Sequence, residues 1–242
     1  MKQKTLFFLL ALLTISCYTS AQTTYALVAG VSSYQNPQNN LANTTKDAKD
    51  IKRVLDHLNI PSALLTSKNA NYAKINEKLE KIVSKAGSND KIMFFFSGHG
   101  TTGAFCTYDE LFPYKTLVNI LKKAKAKEVY CFIDACMSGS VQNVSAEGYY
   151  WASNTNMTFF MGCRPEEFSW ENQWLGNGNF SKALLKGIRG IADSNKDKRI
   201  TVKELFDYIY RDVTKHTQNN STVQHPQLIG PSSMHNNVLF SR

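Results

Sequence analysis

Two residues capable of covalent chemistry, a histidine and a cysteine, each follow a strongly apolar run of the chain. His99 stands between two glycines in "FFFSGHG" (94–100), and Cys136 stands in "FIDACMSGS" (132–140). A thiol with a pKa of about 8.5 is largely protonated at neutral pH, so a cysteine nucleophile needs a neighbouring base or cation. The pair predicts nucleophilic catalysis by Cys136, provided that the fold brings the imidazole to the thiol.

The glycine after His99 fits the same chemistry. A tetrahedral oxyanion needs backbone N–H groups aimed at it, and side chains would obstruct its approach. We expect the amides of Gly100 and Cys136 to be these donors. Taken singly, a histidine in a Gly-rich turn is usually solvated and a cysteine after a strand is usually a packing residue, so the hypothesis depends on their joint occurrence.

The elements that must position these residues are short apolar runs that alternate with helix-length amphipathic segments. Nearly continuous apolar runs, typical of strands covered on both faces, lie at 25–31, 62–67, 91–97, 128–135 and 157–163. Helical spacing occurs at 47–58, 72–86, 114–126, 181–191 and 202–213, and a last short run is "NVLF" (237–240). We predict one α/β domain with an open, mostly parallel six-stranded sheet and helices on both faces.

This architecture gives the two reactive residues a common location. His99 lies just past the third predicted strand and Cys136 just past the fourth. Adjacent parallel strands are about 4.8 Å apart, and active sites of open α/β sheets lie beyond the carboxyl ends of the strands. The remaining histidines are scattered, and the sequence has no zinc-binding spacing, P-loop or GxGxxG motif, so we expect no metal or nucleotide cofactor.

The N-terminal segment has the features of a secretory signal peptide. Lys2 and Lys4 precede an apolar run at 6–15, and small residues precede Gln22. We therefore predict a signal peptide at 1–21, a mature domain at 22–242, and a secreted or periplasmic protein without a membrane span. Lipidation of Cys17, which would make the protein a lipoprotein of the cell envelope, is the alternative.

The remaining composition limits the partners. Although the net charge is +9, the main lysine cluster, "LKKAKAKE" (121–128), has no interleaved aromatic residues, so we expect no nucleic-acid binding. Four cysteines follow the predicted signal peptide: Cys106, Cys131, Cys136 and Cys163. Cys131 and Cys163 lie in apolar runs and read as small buried residues, whereas a disulfide that involves Cys106 stays open. The oligomeric state is not indicated.

Six motifs occur in the order found in caspase-like cysteine peptidases, the bacterial relatives of caspases and metacaspases. They are "YALVAGVSSY", "FFFSGHG", "FIDACMSGS", "FSWEN", "NFSKALLKGIRG" and "QHPQ". The resemblance covers residues 24–242 and implies a caspase-like sheet. It also implies that His99 assists proton transfer, that Cys136 attacks a peptide carbonyl, and that the amides of Gly100 and Cys136 form the oxyanion hole. Met137 departs from the pattern, because relatives often have histidine there.

The resemblance also bears on the S1 pocket. True caspases hold an aspartate with arginines, one of them in an "SWR" segment, where this chain has Trp170 followed by the acidic Glu171. Metacaspase-like relatives prefer Arg or Lys at P1 and use residues that match Asp134, Ser97 and Asp47. A buried carboxylate can bind a guanidinium bidentately, so we expect cleavage after Arg or Lys.

The pocket residues have structural alternatives. Asp47 follows Thr44 by three residues at a helix start, so a capping interaction would explain it equally well. Asp134 could instead accept hydrogen bonds from loop amides, and Glu171 could be solvated.

A calcium-loop pattern at 193–204, "DSNKDKRITVKE", has Asp193, Asn195, Asp197 and Glu204 at ligand positions but Lys198 in place of glycine. A capping box from Thr201 to Glu204 explains the glutamate without metal. Titration of calcium against melting temperature tests the metal.

The predicted function is a secreted endopeptidase with a Cys136/His99 dyad. Residues 137–163 contain no Lys or Arg, so an enzyme specific for basic residues would not nick itself there and would act as a single chain. Two alternatives stay open at the level of sequence. One is a catalytically silent caspase-fold binding or scaffold protein, and the other is a transpeptidase or ligase that uses the same thioester.

Overall fold

The computed structural model describes residues 21–136, 155–165, 167, 177–219 and 223–242, together with the backbone of 171–172. Residues 1–20 of the predicted signal peptide lie outside the described residues, and these include the candidate lipidation site Cys17. Trp170 and the side chain of Glu171 also lie outside them. Of the helices that are described, none combines the length and apolar character needed to cross a membrane.

A six-stranded sheet forms the centre of the domain. Its strands, numbered along the chain, are β1 (Thr24–Gly30), β2 (Ser62–Thr66), β3 (Lys91–Ser97), β7 (Glu128–Asp134), β8 (Met157–Met161) and β12 (Gln227–Ile229). The spatial order is β12-β8-β7-β3-β1-β2. The first five strands pair in parallel and β12 pairs with β8 antiparallel, which confirms the predicted mostly parallel sheet.

Seven short strands form smaller sheets around this centre. They are β4 (Gly100–Thr101), β5 (Ala104–Cys106), β6 (Leu111–Pro113), β9 (Glu171–Asn172), β10 (Asn177–Gly178), β11 (Arg199–Thr201) and β13 (Val238–Ser241). Strands β4, β5 and β6 form an antiparallel unit directly after β3, so they lie beside the carboxyl edge of the sheet. The pair β9 and β10 immediately precedes a helix that packs on the sheet.

Helices cover both faces of the central sheet, as predicted. They are α1 (Thr44–His57), α2 (Tyr72–Lys85), α3 (Tyr114–Leu121), α4 (Asn179–Lys186) and α5 (Val202–Thr217). Helices α2 and α3 contribute to one apolar core, and α1, α4 and α5 contribute to the other. The triple phenylalanine of β3 divides between them: Phe94 and Phe96 belong to the first core and Phe95 to the second. Alternation of side chains along a strand buried on both sides explains this apolar run.

The sheet has six strands, as predicted, but its sixth strand is a different segment from the last apolar run of the sequence. The last apolar run forms β13, which pairs with β11 outside the central sheet, and the sixth place belongs to Gln227–Ile229. That strand has three half-buried residues at the sheet edge, so it lacks the continuous apolar run by which the other strands are recognised.

Candidate active site

The site begins where β3 and β7 end side by side. Ser97 is paired with Asp134 in the parallel register of the two strands, so His99 and Cys136 are each two residues beyond a matched pair. The Gly98 N–H extends this pairing by donating to the Asp134 carbonyl over 3.1 Å. The structure thus brings the backbones that carry the predicted base and nucleophile to one edge of the sheet.

The two loops approach each other at Gly100. A Cβ added at this position would lie 2.3 Å from the Cys136 carbonyl oxygen and 2.9 Å from the Ala135 Cβ. Only glycine fits this distance to backbone atoms. The Cys106 N–H donates to the His99 carbonyl over 2.9 Å, which makes Gly100 and Phe105 a non-hydrogen-bonded antiparallel pair. The Gly100 N–H therefore points away from β5, as an oxyanion donor requires.

His99 is held by two groups that the sequence analysis does not identify, Tyr34 and Asn39. The His99 N–H donates to the Tyr34 hydroxyl over 2.7 Å, and the two rings lie 5.0 Å apart between centroids. The imidazole Nε2 lies 2.9 Å from the Asn39 carbonyl oxygen. Because a carbonyl can only accept, Nε2 is the protonated nitrogen in this contact, and Nδ1 is the nitrogen left to exchange a proton with a thiol.

The β1–α1 loop, residues 31–43, is itself tied down, and this fixes both groups. Asn40 accepts the Tyr34 N–H at Oδ1 over 2.9 Å, and the Leu41 N–H donates to the Ser32 carbonyl over 2.8 Å. Asn36 caps the short 3₁₀ helix that contains Asn39 by accepting the Gln38 N–H over 3.1 Å. These contacts span two to nine residues, whereas the contacts of Tyr34 and Asn39 with His99 span 65 and 60 residues. Local sequence signals do not reveal such distant contacts.

Asp47 is fully buried at the start of α1 and does not cap the helix, so the capping alternative is wrong. The helix begins at Thr44, its N-cap is Asn43, and that cap has no side-chain hydrogen bond. Instead, Asp47 accepts hydrogen bonds from Ser97 Oγ over 2.9 Å and from Asn177 Nδ2 over 2.7 Å. Burial, with the nearby Asp134 charge adding to it, raises the pKa of Asp47 to about 7.

Asp134 and Asp47 both lie close to Gly178. A Cβ added at Gly178 would lie 2.6 Å from Asp134 Oδ2 and 3.5 Å from Asp47 Oδ2. Asp134 also accepts the Ser181 N–H over 3.1 Å and the Ser181 hydroxyl over 2.7 Å, near the start of α4. The alternative of hydrogen bonding to amides is therefore observed for Asp134, and it occurs beside a second carboxylate.

A neighbouring polar cluster neutralises the third carboxylate of this region, Asp50. Lys46 Nζ and Arg53 Nη1 lie 2.7 and 2.8 Å from its oxygens. Although burial alone would raise the pKa of Asp50, these groups and Asn177 hold it below its usual value. Within the described part of the chain, Asp47 has no such ion pair with a lysine or arginine.

The described cysteines are all free thiols, so the open disulfide of Cys106 is not formed in this structure. Cys106 is the last residue of β5. Its pKa is raised mainly by burial and further by the charge of Cys136. Cys131 and Cys163 are completely buried, as their apolar surroundings predict. The structure therefore distinguishes two buried packing cysteines from Cys106 and Cys136, which are only partly buried.

The calcium-loop pattern lies far from these residues in the chain and has a local role. Glu204 and Thr201 form the predicted capping box, in which Thr201 Oγ1 accepts the Glu204 N–H over 3.2 Å. Glu204 also accepts the Ser194 hydroxyl over 2.8 Å. No group of three metal-ligating side chains is placed to hold a metal ion within the described residues. Calcium binding at 193–204 stays an untested alternative to the predicted absence of a cofactor.

Comparison with known proteins decides the family. A family model described as a caspase domain matches residues 23–236. The chain belongs to the caspase-domain family. Among solved structures, a structural-genomics protein from Geobacter sulfurreducens has a TM-score of 0.69 at 18% identity, covering 90% of this chain and 98% of that one. Caspase-1 from Spodoptera frugiperda has a TM-score of 0.67 at 16% identity, covering 86% of both chains.

At 18% and 16% sequence identity, these two structures support the caspase fold and nothing further. A comparison with curated proteins gives no match. The caspase-domain match confirms the resemblance seen in the sequence motifs, and it gives the chain the fold of a cysteine peptidase.

Proposed function

We propose that this caspase-domain protein is a cysteine endopeptidase that cleaves after arginine or lysine. The observation that carries the proposal is the pair of buried carboxylates, Asp47 and Asp134, beside the strand ends that lead to His99 and Cys136. Two carboxylates that share buried surroundings repel each other, and a cation bound beside them offsets that repulsion.

The reaction follows from the residues at the sheet edge. Cys136 Sγ attacks the carbonyl carbon of the scissile bond, and the thiol proton passes to Nδ1 of His99. The oxyanion accepts hydrogen bonds from the N–H groups of Gly100 and Cys136. When the C–N bond breaks, the imidazolium gives its proton to the leaving amine, and water then hydrolyses the thioester with His99 as base. The product acid leaves and the thiol is restored.

The two carboxylates have different parts in substrate binding. Asp134 keeps 6% exposure, so we assign to it the direct contact with the P1 guanidinium or ammonium group. Asp47 has no exposure and is held by Ser97, so it acts from behind through its charge. Trp170 and Glu171, which replace the arginine-containing segment of true caspases, are proposed as further pocket residues on the sequence resemblance alone.

A panel of fluorogenic peptides that differ only at P1 tests the function. We expect kcat/KM for Arg and Lys to exceed that for Asp by at least about a hundredfold, because a cationic side chain that contacts Asp134 is attracted by both carboxylates and an anionic one is repelled. Cys136→Ala is the control for contaminating peptidase. A preference for Asp would overturn the pocket assignment, and absence of cleavage of every peptide would favour a silent binding protein.

We also propose that the protein is exported from the cell. A charged start, an apolar run and small residues before Gln22 support a signal peptide at 1–21. N-terminal sequencing of the protein secreted by its natural host is expected to begin at or near Gln22. A mature protein that begins at a lipidated Cys17 would replace secretion with a lipid anchor.

A further inference from the structure

Tyr34 is the side chain of the β1–α1 loop that contacts His99 through both its hydroxyl and its ring. We propose that Tyr34 is a positioning residue, which fixes the backbone and imidazole of His99 for proton exchange with Cys136. The inference rests on the proposed peptidase function and adds a residue to its machinery.

The contact between Tyr34 and His99 has two parts. The Tyr34 hydroxyl accepts the His99 N–H over 2.7 Å, and the two ring planes are inclined by 40° with their centroids 5.0 Å apart. Tyr34 is 8% exposed, so the hydrogen bond is largely shielded from water. A shielded hydrogen bond is stronger than one in solvent, and loss of its acceptor would leave a poorly solvated N–H.

Gly98 has the space that this contact needs. A Cβ added at Gly98 would lie 2.8 Å from the Tyr34 hydroxyl oxygen and 2.8 Å from Phe96 Cζ. The glycine before His99 therefore accommodates the tyrosine hydroxyl, whereas the glycine after it accommodates the backbone of Cys136. Together the two glycines explain the motif around His99.

Glycines on both sides of His99 also create a need for an external restraint. Glycine has the largest backbone freedom of any residue, so a histidine between two glycines is poorly fixed by its own chain. Here the His99 carbonyl accepts the Cys106 N–H, the His99 N–H donates to Tyr34, and the imidazole meets Asn39. Tyr34 is the only side chain among these three restraints in the described structure, because Cys106 and Asn39 act through their backbones.

A purely structural role for Tyr34 makes a different prediction. Tyr34 belongs to the apolar core that includes Phe96, so its ring contributes packing that phenylalanine would supply equally well. Tyr34→Phe keeps this packing and removes only the hydroxyl. A control is Tyr130→Phe, which removes a buried hydroxyl that donates to Glu128 over 2.8 Å, near the opposite end of β7.

The experiment measures kcat and KM on an Arg-P1 peptide and the rate at which iodoacetamide alkylates Cys136 at pH 7. For Tyr34→Phe we expect kcat and the alkylation rate to fall about tenfold with KM within twofold, because misplacing the base affects the chemical step. Tyr130→Phe should keep both values within twofold. If Tyr34→Phe retains its kcat, or if both variants lose activity equally, the positioning role is wrong.

Two further variants keep the outcomes apart. His99→Ala gives the alkylation rate without any base; if it alkylates like the wild type, the His99/Cys136 pair itself fails, and with it the proposed function. If the wild type alkylates in a His99-dependent manner but cleaves no peptide, the proposed function fails while Tyr34 is still tested by alkylation. Should Tyr34→Phe fold poorly, Gly98→Ala applies the same test, because its methyl would displace the Tyr34 hydroxyl and should lower the alkylation rate.

Discussion

Asp47 links the specificity of the site to the stability of the protein. Its carboxyl group is completely buried, it has Asp134 as a neighbour, and its pKa is raised to about 7. In the empty site a proton on Asp47 relieves the repulsion that a basic P1 side chain would relieve in the complex. The residue proposed to favour a basic substrate is thus a residue that disfavours the free folded state above neutral pH.

The first prediction concerns the pH dependence of stability. A carboxyl group whose pKa rises from 3.8 to about 7 on folding binds its proton more tightly in the folded state, so the stability that it adds is present at low pH and is lost between these two values. Asp47→Asn should remove this decline and raise the free energy of unfolding at pH 8 by about 1 to 3 kcal/mol. Urea denaturation at pH 5 and pH 8 measures the effect.

The hydrogen bonds around Asp47 permit this substitution. The asparagine Oδ1 can keep the bond from Asn177, and its Nδ2 can donate to Ser97 Oγ if that hydroxyl turns. The same variant should lower kcat/KM for Arg substrates, because one of the two carboxylates becomes neutral. A variant that is less stable than the wild type at pH 8 would contradict the raised pKa.

The β3–β4 turn lies directly against the end of β7 at Gly100. Gly100→Ala would place a methyl group 2.3 Å from the Cys136 carbonyl oxygen, and backbone atoms cannot yield as a flexible side chain can. We expect a loss of about 2 kcal/mol in the free energy of unfolding and loss of peptidase activity.

Gly87→Ala is the matched control for Gly100→Ala. Its added Cβ would meet only Asp90 Oδ2, at an ordinary distance of 3.5 Å. It should change the free energy of unfolding by less than about 0.5 kcal/mol. Circular dichroism during thermal unfolding, together with the peptide assay, compares the two variants. Equal behaviour of the two would mean that the turn and β7 are not as close as described.

The elements also explain which parts of the fold could be predicted. Strands β1, β3, β7 and β8 are apolar runs because both of their faces are covered, and the sequence identifies each of them. The edge strand β2 is mostly half-buried, and its short apolar run still identifies it. The sixth, Gln227–Ile229, is a half-buried edge strand, and the small strands β4 to β6 have only two or three residues each. Such elements are defined by pairing with distant segments rather than by their own pattern.

Some of the site residues could be predicted from the sequence and others could not. Strand ends bring His99 and Cys136 together, because register follows directly from topology. Tyr34 and Asn39 come from a loop whose course depends on several local hydrogen bonds. The sequence around Asp47 is equally compatible with capping, and only its contacts with Ser97 and Asn177 show its actual surroundings. Side-chain roles in loops depend on contacts between segments, and one sequence does not show them.

The proposed specificity favours a peptidase that acts as a single uncut chain. The segment 137–163 has no Lys or Arg after which an enzyme of this specificity could cut itself. Strands β3 and β7, which lead to the proposed base and nucleophile, are adjacent in the central sheet, and both precede this segment in the chain. Proteolytic separation between β7 and β8 is therefore not needed to bring them together.

Intact-mass analysis after reaction with an Arg-directed chloromethyl ketone tests the proposed function. We expect one probe per uncut chain, attached at Cys136. Labelling should be abolished by Cys136→Ala, strongly slowed in His99→Ala and in Asp134→Asn, and absent with the corresponding Asp-directed probe. Labelling that is independent of His99, that favours the Asp-directed probe, or that occurs only in chains cut between Cys136 and Cys163 would contradict it.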